Sequence, residues 1–280
     1  MRFTKMHGAG NDYVYVNAFK EKVANPKALA VAVSDRRRGV GSDGLILIAP
    51  SKAADLRMIM FNADGSEGSM CGNGVRCVGK YAFEHGLVKK KALTVETKSG
   101  IVSLELRAKG GKVDQVTVDM GPARRIPKEF HVRSDGLKRL LRESSEGLEG
   151  FVVSMGNPHF VVPVPSTAAA PVLTTGPKIE THPDFPSRVN VEFVEILSKT
   201  RVKQRTWERG SGETHACGSG ACAVGWALSS AGLTGPKIKV ELLGGTLEIE
   251  IARDGRVLMT GPAVEVFSGE WSQPGPARRR

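Results

Sequence analysis

Apolar and polar positions alternate with a period of two over long stretches of this chain, and the alternating runs come in matched sets. ALTVETKSGIVSLEL with VDQVTVDMGP, and later IKVELLGGTLEIEIA with RVLMTGP, each read as strands joined by tight, glycine-bearing turns. Apolar runs at residues 13–17, 45–48, 160–163 and 191–196 predict further strands. The period lengthens to that of a helix at Val75, Val78 and Ala82 and again at Ala221, Val224 and Leu228. Gly86 and Gly232 follow these runs as the residues that end a helix. Asn25 before Pro26 predicts a capped helix start, with the helix running to about residue 37. Residues 123–150 and 164–187 carry no readable period.

The matched sets have a simple origin, because the sequence contains itself twice. CGNGVRC begins at Cys71 and CGSGAC at Cys217, and subtracting the two positions gives an offset of 146. The same offset carries Gly10-Asn11 onto Gly156-Asn157, Glu67 onto Glu213, Gly79 onto Gly225 and Gly86-Leu87 onto Gly232-Leu233. Repetition at one fixed offset is the signature of a duplicated unit. Two similar α+β domains are therefore expected, the copies ending at Met120-Gly121-Pro122 and Thr260-Gly261-Pro262. The alternating piece at residues 263–271 is expected to return to the first domain as its last strand. The boundaries are then 1–119 with 263–274 for the first half and 120–262 for the second, leaving 275–280 as a basic, disordered tail.

Bulk properties narrow the class. At 280 residues the chain can form two domains that each bury a core, and its 33 glycines and 6% aromatic content suit a turn-rich soluble protein. No apolar run is long enough to span a bilayer, and MRFTKMHGAGND lacks the apolar stretch of a secretory signal. A cytoplasmic location is expected, where the four cysteines stay reduced. The net charge of +11 is spread out, with short clusters at Arg36, Arg37 and Arg38, at Lys89, Lys90 and Lys91, and at Arg278, Arg279 and Arg280. These read as solvated surface, and no nucleic-acid-binding or membrane motif stands beside them.

The cysteines carry the chemistry. Cys71-Gly72-Asn73-Gly74 and Cys217-Gly218-Ser219-Gly220 each lie just before a predicted helix, whose first N–H groups have no helical acceptor and can hold an anion. A helix N-terminus is expected to lower the thiol pKa and raise its thiolate fraction. Cys77 and Cys222, on the helices themselves, read as small buried apolar residues. The spacing is neither that of a dithiol redox site nor that of a zinc site, and no motif for pyridoxal phosphate, flavin, nucleotide or metal is apparent. Two copies facing each other across a cleft would place one sulfur on either side of the α-carbon of a bound amino acid. That is the geometry of a two-base racemisation without a cofactor.

The stretches HGAGNDYV, RRGVGSDGLILI, NADGSEGSMCGNGVRC, SMGNPHFV, FPSRVNVEFV, WERGSGETHACGSGACA and MTGPA resemble the diaminopimelate epimerase family over residues 1–271. The resemblance implies two pseudo-symmetric α+β domains, each a curved, mostly antiparallel sheet around a central helix, with the active site in the interdomain cleft. It implies epimerisation of LL- to meso-2,6-diaminopimelate, for lysine and peptidoglycan synthesis, by Cys71 and Cys217. His159 is expected to support Cys71 and Glu208 to support Cys217. Asn11, Asn62, Asn157, Asn190, Glu208 and Arg209 are the implied substrate contacts, with Arg209 on the distal carboxylate. The amides of Gly72, Asn73, Gly218 and Ser219 would take the reacting carboxylate, although Asn73 and Ser219 also suit plain capping roles. Gly44 departs from the pattern, since some members carry glutamine there. Proline and hydroxyproline racemases share the architecture and stand as the alternative activity, and a nucleic-acid-binding protein without catalysis is the alternative outside enzymes. A small-molecule substrate is the expected partner, and assembly as a homodimer is left open.

Overall fold

A computed structural model describes residues 1–124 and 150–272. Most of the unreadable stretch 123–150 and the basic tail 275–280, with its arginine cluster, lie outside the described residues. The chain divides into two compact units, Met1–Val116 with the segment from Ala263 onward, and Thr117–Pro262. No helix among the described residues is long and apolar enough to cross a membrane.

In the first unit, the strand Arg2–Gly8 lies antiparallel between Asn11–Asn17 and the late strand Val264–Glu270. Asn11–Asn17 runs parallel to Gly44–Ala49, which pairs antiparallel with Leu56–Asn62. Leu56–Asn62 continues to the short strand Glu67–Gly68 and, in parallel, to Ala92–Thr97, which forms a hairpin with Gly100–Lys109. Helix α1 (Pro26–Ser34) covers one face of this sheet, and Leu29, Ala30 and Val33 pack there on Val14, Val16, Leu45, Leu47 and Phe61. Helix α2 (Gly72–Glu84) lies against Arg2–Gly8, Asn11–Asn17, Gly100–Lys109 and Val264–Glu270, and nearly all its residues are buried. Alternation along a strand explains the division of labour: Val14 and Val16 face α1, whereas Tyr13 and Tyr15 face the side of α2.

The second unit repeats this ladder. Phe151–Ser154 pairs antiparallel with Pro158–Pro163, which runs parallel to Asn190–Ser198. Asn190–Ser198 pairs antiparallel with Arg201–Glu208, which continues to Gly212–Thr214 and, in parallel, to Lys237–Leu242. Gly245–Ile251 and Arg256–Gly261 complete the meander. Helix α3 (Val172–Glu180) packs its Val172 and Ile179 on Phe160, Val162, Val191 and Phe193. Helix α4 (Gly218–Ser230) occupies the other face. The offset of 146 relates α2 to α4 and α1 to α3 residue for residue.

The strands Arg2–Gly8, Leu56–Asn62, Phe151–Ser154 and Arg201–Glu208 have no counterpart in the sequence reading, and two helices differ from it. Helix α1 starts as expected, with Asn25 accepting from the Ala28 amide, but ends at Ser34 rather than near residue 37. Asp35 takes an extended backbone there, and its carboxylate accepts from the amides of Arg37 and Arg38, closing a turn. Helix α3 falls in a stretch with no helical signal, since VLTTGPKIE holds two threonines, a glycine and a proline. Its burial overrides its propensity, and Gly176 sits so close to Trp207 that an added Cβ would lie 2.8 Å from the Trp207 Cβ.

Gly176→Ala is therefore expected to lower the unfolding free energy by about 1–2 kcal/mol, the overpacking outweighing the gain in helix propensity. Chemical denaturation followed by tryptophan fluorescence measures it, and an unchanged midpoint would mean that α3 can move off Trp207.

Candidate active site

Each cysteine loop ends in the same local device. Cys71 and Cys217 are the N-cap residues of α2 and α4, and their sulfurs accept hydrogen bonds from the amides of Gly74 at 3.3 Å and Gly220 at 3.4 Å. The cysteine carbonyls already accept from Val75 and Ala221, so each helix begins directly at the sulfur. The amides of Gly72 and Asn73, and of Gly218 and Ser219, belong to first turns and have no acceptor within the helix. The glycines at 74 and 220 are required by space. A Cβ on Gly74 would lie 2.7 Å from Ile46 Cδ1, and one on Gly220 would lie 2.6 Å from Glu192 Oε1 and 3.2 Å from Cys217 Sγ.

In the first unit the Cys71 thiol donates to Asn11 Oδ1 at 3.2 Å, and Asn73 Nδ2 donates to the same oxygen at 3.4 Å. Asn11 Nδ2 donates to Asp43 Oδ2 at 2.7 Å, which fixes the direction of the amide because a carboxylate only accepts. Asp43 also takes the Asp12 amide and the Arg36 guanidinium. Burial, then the neighbouring Asp12, pushes the Asp43 pKa up. The Tyr13 phenol lies in hydrogen-bond reach of Asn11 and Cys71, and burial first, then Cys71, keeps it protonated well above the usual tyrosine range. Gly44 admits no side chain, since a Cβ there would lie 2.1 Å from the Phe61 carbonyl oxygen and 2.8 Å from Tyr13 Cε1. Asn62 stands apart from this group, its amide donating to Ser66 Oγ in the following turn.

The second unit assembles a different set around Cys217. Glu208 lies beside the thiol and accepts from Thr214 Oγ1 at 2.8 Å. Ser219 Oγ lies 3.6 Å from Cys217 Sγ, and Asn157 Nδ2 donates to Ser219 Oγ at 3.3 Å. His159 is fully buried, with Nε2 at 3.0 Å from Asn157 Oδ1 and Nδ1 at 2.8 Å from Glu192 Oε1. These bonds of His159 all lie within its own unit. Asn190 is used locally: its Nδ2 donates to the Pro158 carbonyl and its Oδ1 takes the Arg209 amide. Arg209 Nη1 donates to the Ser187 carbonyl. Buried Glu180 accepts from Trp207 Nε1 and the Gly210 amide, holding the turn that presents Glu208 and Arg209.

One electrostatic expectation is overturned here. Position at a helix start was to lower the thiol pKa, yet Cys217 stands well above the ordinary thiol value, first because it is buried and then because Glu208 and Glu192 lie close. The bonds from Ser219 and Gly220 pull the other way and are outweighed. Burial likewise raises Glu208. The resting group is thus a thiol facing a carboxylate that can take its proton. The sequence reading passed over Tyr13, Asp43 and Glu192. Tyr13 had a signal, since the offset of 146 makes it the counterpart of His159, while Asp43 and Glu192 lie inside the motifs RRGVGSDGLILI and FPSRVNVEFV without local distinction. Among the described residues no cluster of three or more His, Cys, Asp or Glu is set to hold a metal ion.

Comparison with known proteins adds a family. The model of the family described as diaminopimelate epimerase matches residues 3–126 and 151–266. A diaminopimelate epimerase of Acetivibrio thermocellus is 52% identical over 276 residues, covering 96% of this chain and 98% of that one. Among solved structures, a phenazine biosynthesis protein of the PhzF family from Bacillus anthracis has a TM-score of 0.69 at 18% identity, covering 97% of this chain and 99% of that one. A hydroxyproline epimerase from Agrobacterium vitis has a TM-score of 0.67 at 17% identity, covering 96% and 90%. The last two likenesses are of fold.

Two outcomes follow from the electrostatics of Cys217 and Glu208. In iodoacetamide labelling resolved by peptide mass spectrometry, Cys217 is expected to react slowly at pH 7 and to accelerate only above pH 9, the ordinary thiol value; fast labelling at pH 7 would contradict the buried-thiol assignment. Glu208 binds its proton more tightly in the folded chain than in the unfolded one, where the ordinary value is 4.5. Its ionisation therefore costs stability as pH rises above 4.5. Glu208→Gln is expected to raise the melting temperature at pH 7 and to lose that advantage at pH 4, and a variant less stable than the parent at pH 7 would reverse the sign.

Proposed function

The chain belongs to the diaminopimelate epimerase family, and from that premise we propose that it interconverts LL- and meso-2,6-diaminopimelate by proton transfer through Cys71 and Cys217. The supporting observation is the duplicated sulfur cap: each unit presents one thiol at a helix start, beside amides suited to a carboxylate. Inversion at an α-carbon needs a proton removed from one face and another delivered to the opposite face. Two thiols supply both without a cofactor, each becoming the other's replacement in the reverse direction.

The proton inventory begins at Cys217. Glu208 takes the thiol proton, the thiolate removes the α-proton, and the thiol of Cys71 delivers its own. Cys71 then holds the charge for the return reaction. The substrate carboxylate lies on the amides of Gly72, Asn73, Gly218 and Ser219, which stabilise the negative charge that develops as the α-proton leaves. Asn11, Asn62, Asn157, Asn190 and Arg209 hold the ammonium groups and the distal carboxylate, with His159 and Glu208 as the polar support of the site. Burying that many polar groups makes an amino acid without the far end a poor ligand. The reaction serves lysine and peptidoglycan synthesis, and we place it in the cytoplasm, where a reducing environment preserves both thiols.

Incubation with LL-diaminopimelate in deuterated water, followed by chiral chromatography and mass spectrometry, tests the proposal. Meso product bearing one solvent deuterium is expected, with Cys71→Ser and Cys217→Ser each slower by about 10²–10⁴-fold. Turnover of proline or hydroxyproline with none of diaminopimelate would remove the substrate assignment, and a Cys71→Ser variant of full activity would remove the mechanism.

A further inference from the structure

Glu192 is the most unusual ionisable group of the second unit. It lies in the strand Asn190–Ser198 with no exposed surface, one oxygen 2.8 Å from His159 Nδ1 and the other without a hydrogen-bond partner among the described residues. The duplication shows that the fold does not require it. The counterpart of Glu192 at the offset of 146 is Ile46, and the counterpart of His159 is Tyr13. Ile46 Cδ1 approaches Gly74 just as Glu192 Oε1 approaches Gly220, so the two positions are structurally equivalent. The acid and the imidazole thus occur together in one half and are both absent from the other.

A carboxylate buried beside a neutral imidazole would leave an uncompensated charge in the interior, at a cost of several kcal/mol. Two protons shared by the pair would remove that charge. One would lie between Glu192 Oε1 and His159 Nδ1, 2.8 Å apart, on either atom. The second would sit on His159 Nε2, which faces Asn157 Oδ1 at 3.0 Å, an atom that can only accept. Asn157 is thereby turned so that Nδ2 donates to Ser219 Oγ, and the Ser219 hydroxyl hydrogen is left for Cys217 Sγ at 3.6 Å.

We propose that Glu192 is a positioning residue that fixes the proton on His159 Nε2 and so directs every hydrogen bond from His159 through Asn157 and Ser219 toward Cys217. The chain delivers a donor to the sulfur whose proton Glu208 accepts. Glu208 and Glu192 are the titratable groups that act on this sulfur, and His159 acts on Glu208. The inference rests on the reading of Cys217 as an acid–base group, but its tests need no substrate, so it can fail while the epimerase assignment stands, and the reverse.

The first test uses the unaltered protein. Long-range nitrogen-15 spectra of histidine-labelled chain distinguish the ring protonation states, with the His159 signal identified by its loss in His159→Gln. A proton on Nε2 at neutral pH is expected, and an unprotonated Nε2 would overturn the proposal. The second is a double-mutant cycle read by alkylation of Cys217 at alkaline pH. Ser219→Ala is expected to slow it roughly tenfold in the parent, the effect of one hydrogen bond to a charged atom, and less than about twofold on the Glu192→Met background. Equal effects on both backgrounds would mean that Glu192 only fills space.

Discussion

The hydrogen bond from a glycine amide to a cysteine sulfur at the start of a buried helix is the constraint on which both halves of this molecule depend. It holds Cys71 Sγ 3.3 Å from the Gly74 nitrogen and Cys217 Sγ 3.4 Å from that of Gly220. An oxygen in this role contributes about 1 kcal/mol to a helix, and a sulfur is a weaker acceptor, so the consequence of the cap is chiefly geometric. The sulfur is tied to the first turn, so whatever binds to the amides of that turn is held beside it. Side chains at 74 and 220 are excluded by Ile46 and Glu192, and the two central helices are packed against sheet on the remaining sides.

The same location creates competing electrostatic effects, and their sizes decide the resting state. A helix terminus is worth about 0.3–1 kcal/mol to a nearby charge, and up to about 2 kcal/mol when partly buried. Desolvation of a fully buried ionisable group shifts a pKa by several units in the opposite sense. At Cys217 burial wins, reinforced by two carboxylates. A sulfur kept protonated by burial is a poor target for adventitious oxidation and alkylation, and Glu208 beside it is the group that the proposed function assigns to take its proton. The first half solves its version of the problem without an acid–imidazole pair, setting Asn11, clamped by Asp43, and Tyr13 around Cys71.

Much of this was legible in the residues because duplication wrote it twice. The strands at 13–17, 45–48, 160–163 and 191–196, the closing hairpins, the two cysteine-capped helices and the glycines that end them follow from local period and turn chemistry, whereas Arg2–Gly8, Leu56–Asn62, Phe151–Ser154 and Arg201–Glu208 did not stand out. Helix α3 was hidden by its own composition, yet the offset of 146 that revealed the repeat maps it onto α1. The departure at Gly44 acquires its reason only in three dimensions, where the Phe61 carbonyl and Tyr13 occupy the space a side chain would need. Glu192 was invisible for a related cause, while Asp43 lies half-exposed in the bend just before the strand Gly44–Ala49, where nothing local marks it. A carboxylate in a strand reads as solvent-facing, and only the packing of a second strand and a helix over it reveals burial. The thiol electrostatics were misjudged because position at a helix start is a local property, whereas desolvation belongs to the assembled unit.

The central claim, that two different thiols work on the two faces of one carbon, is tested most directly by where solvent label first appears. In deuterated water, with LL-diaminopimelate as substrate and turnover stopped after a few per cent of conversion, the account predicts α-deuterium in the meso product. Recovered LL substrate should remain unlabelled, because the proton taken by one thiol is not the one delivered by the other. Deuterium entering substrate and product at equal rates would mean that a single group serves both faces, and would contradict it.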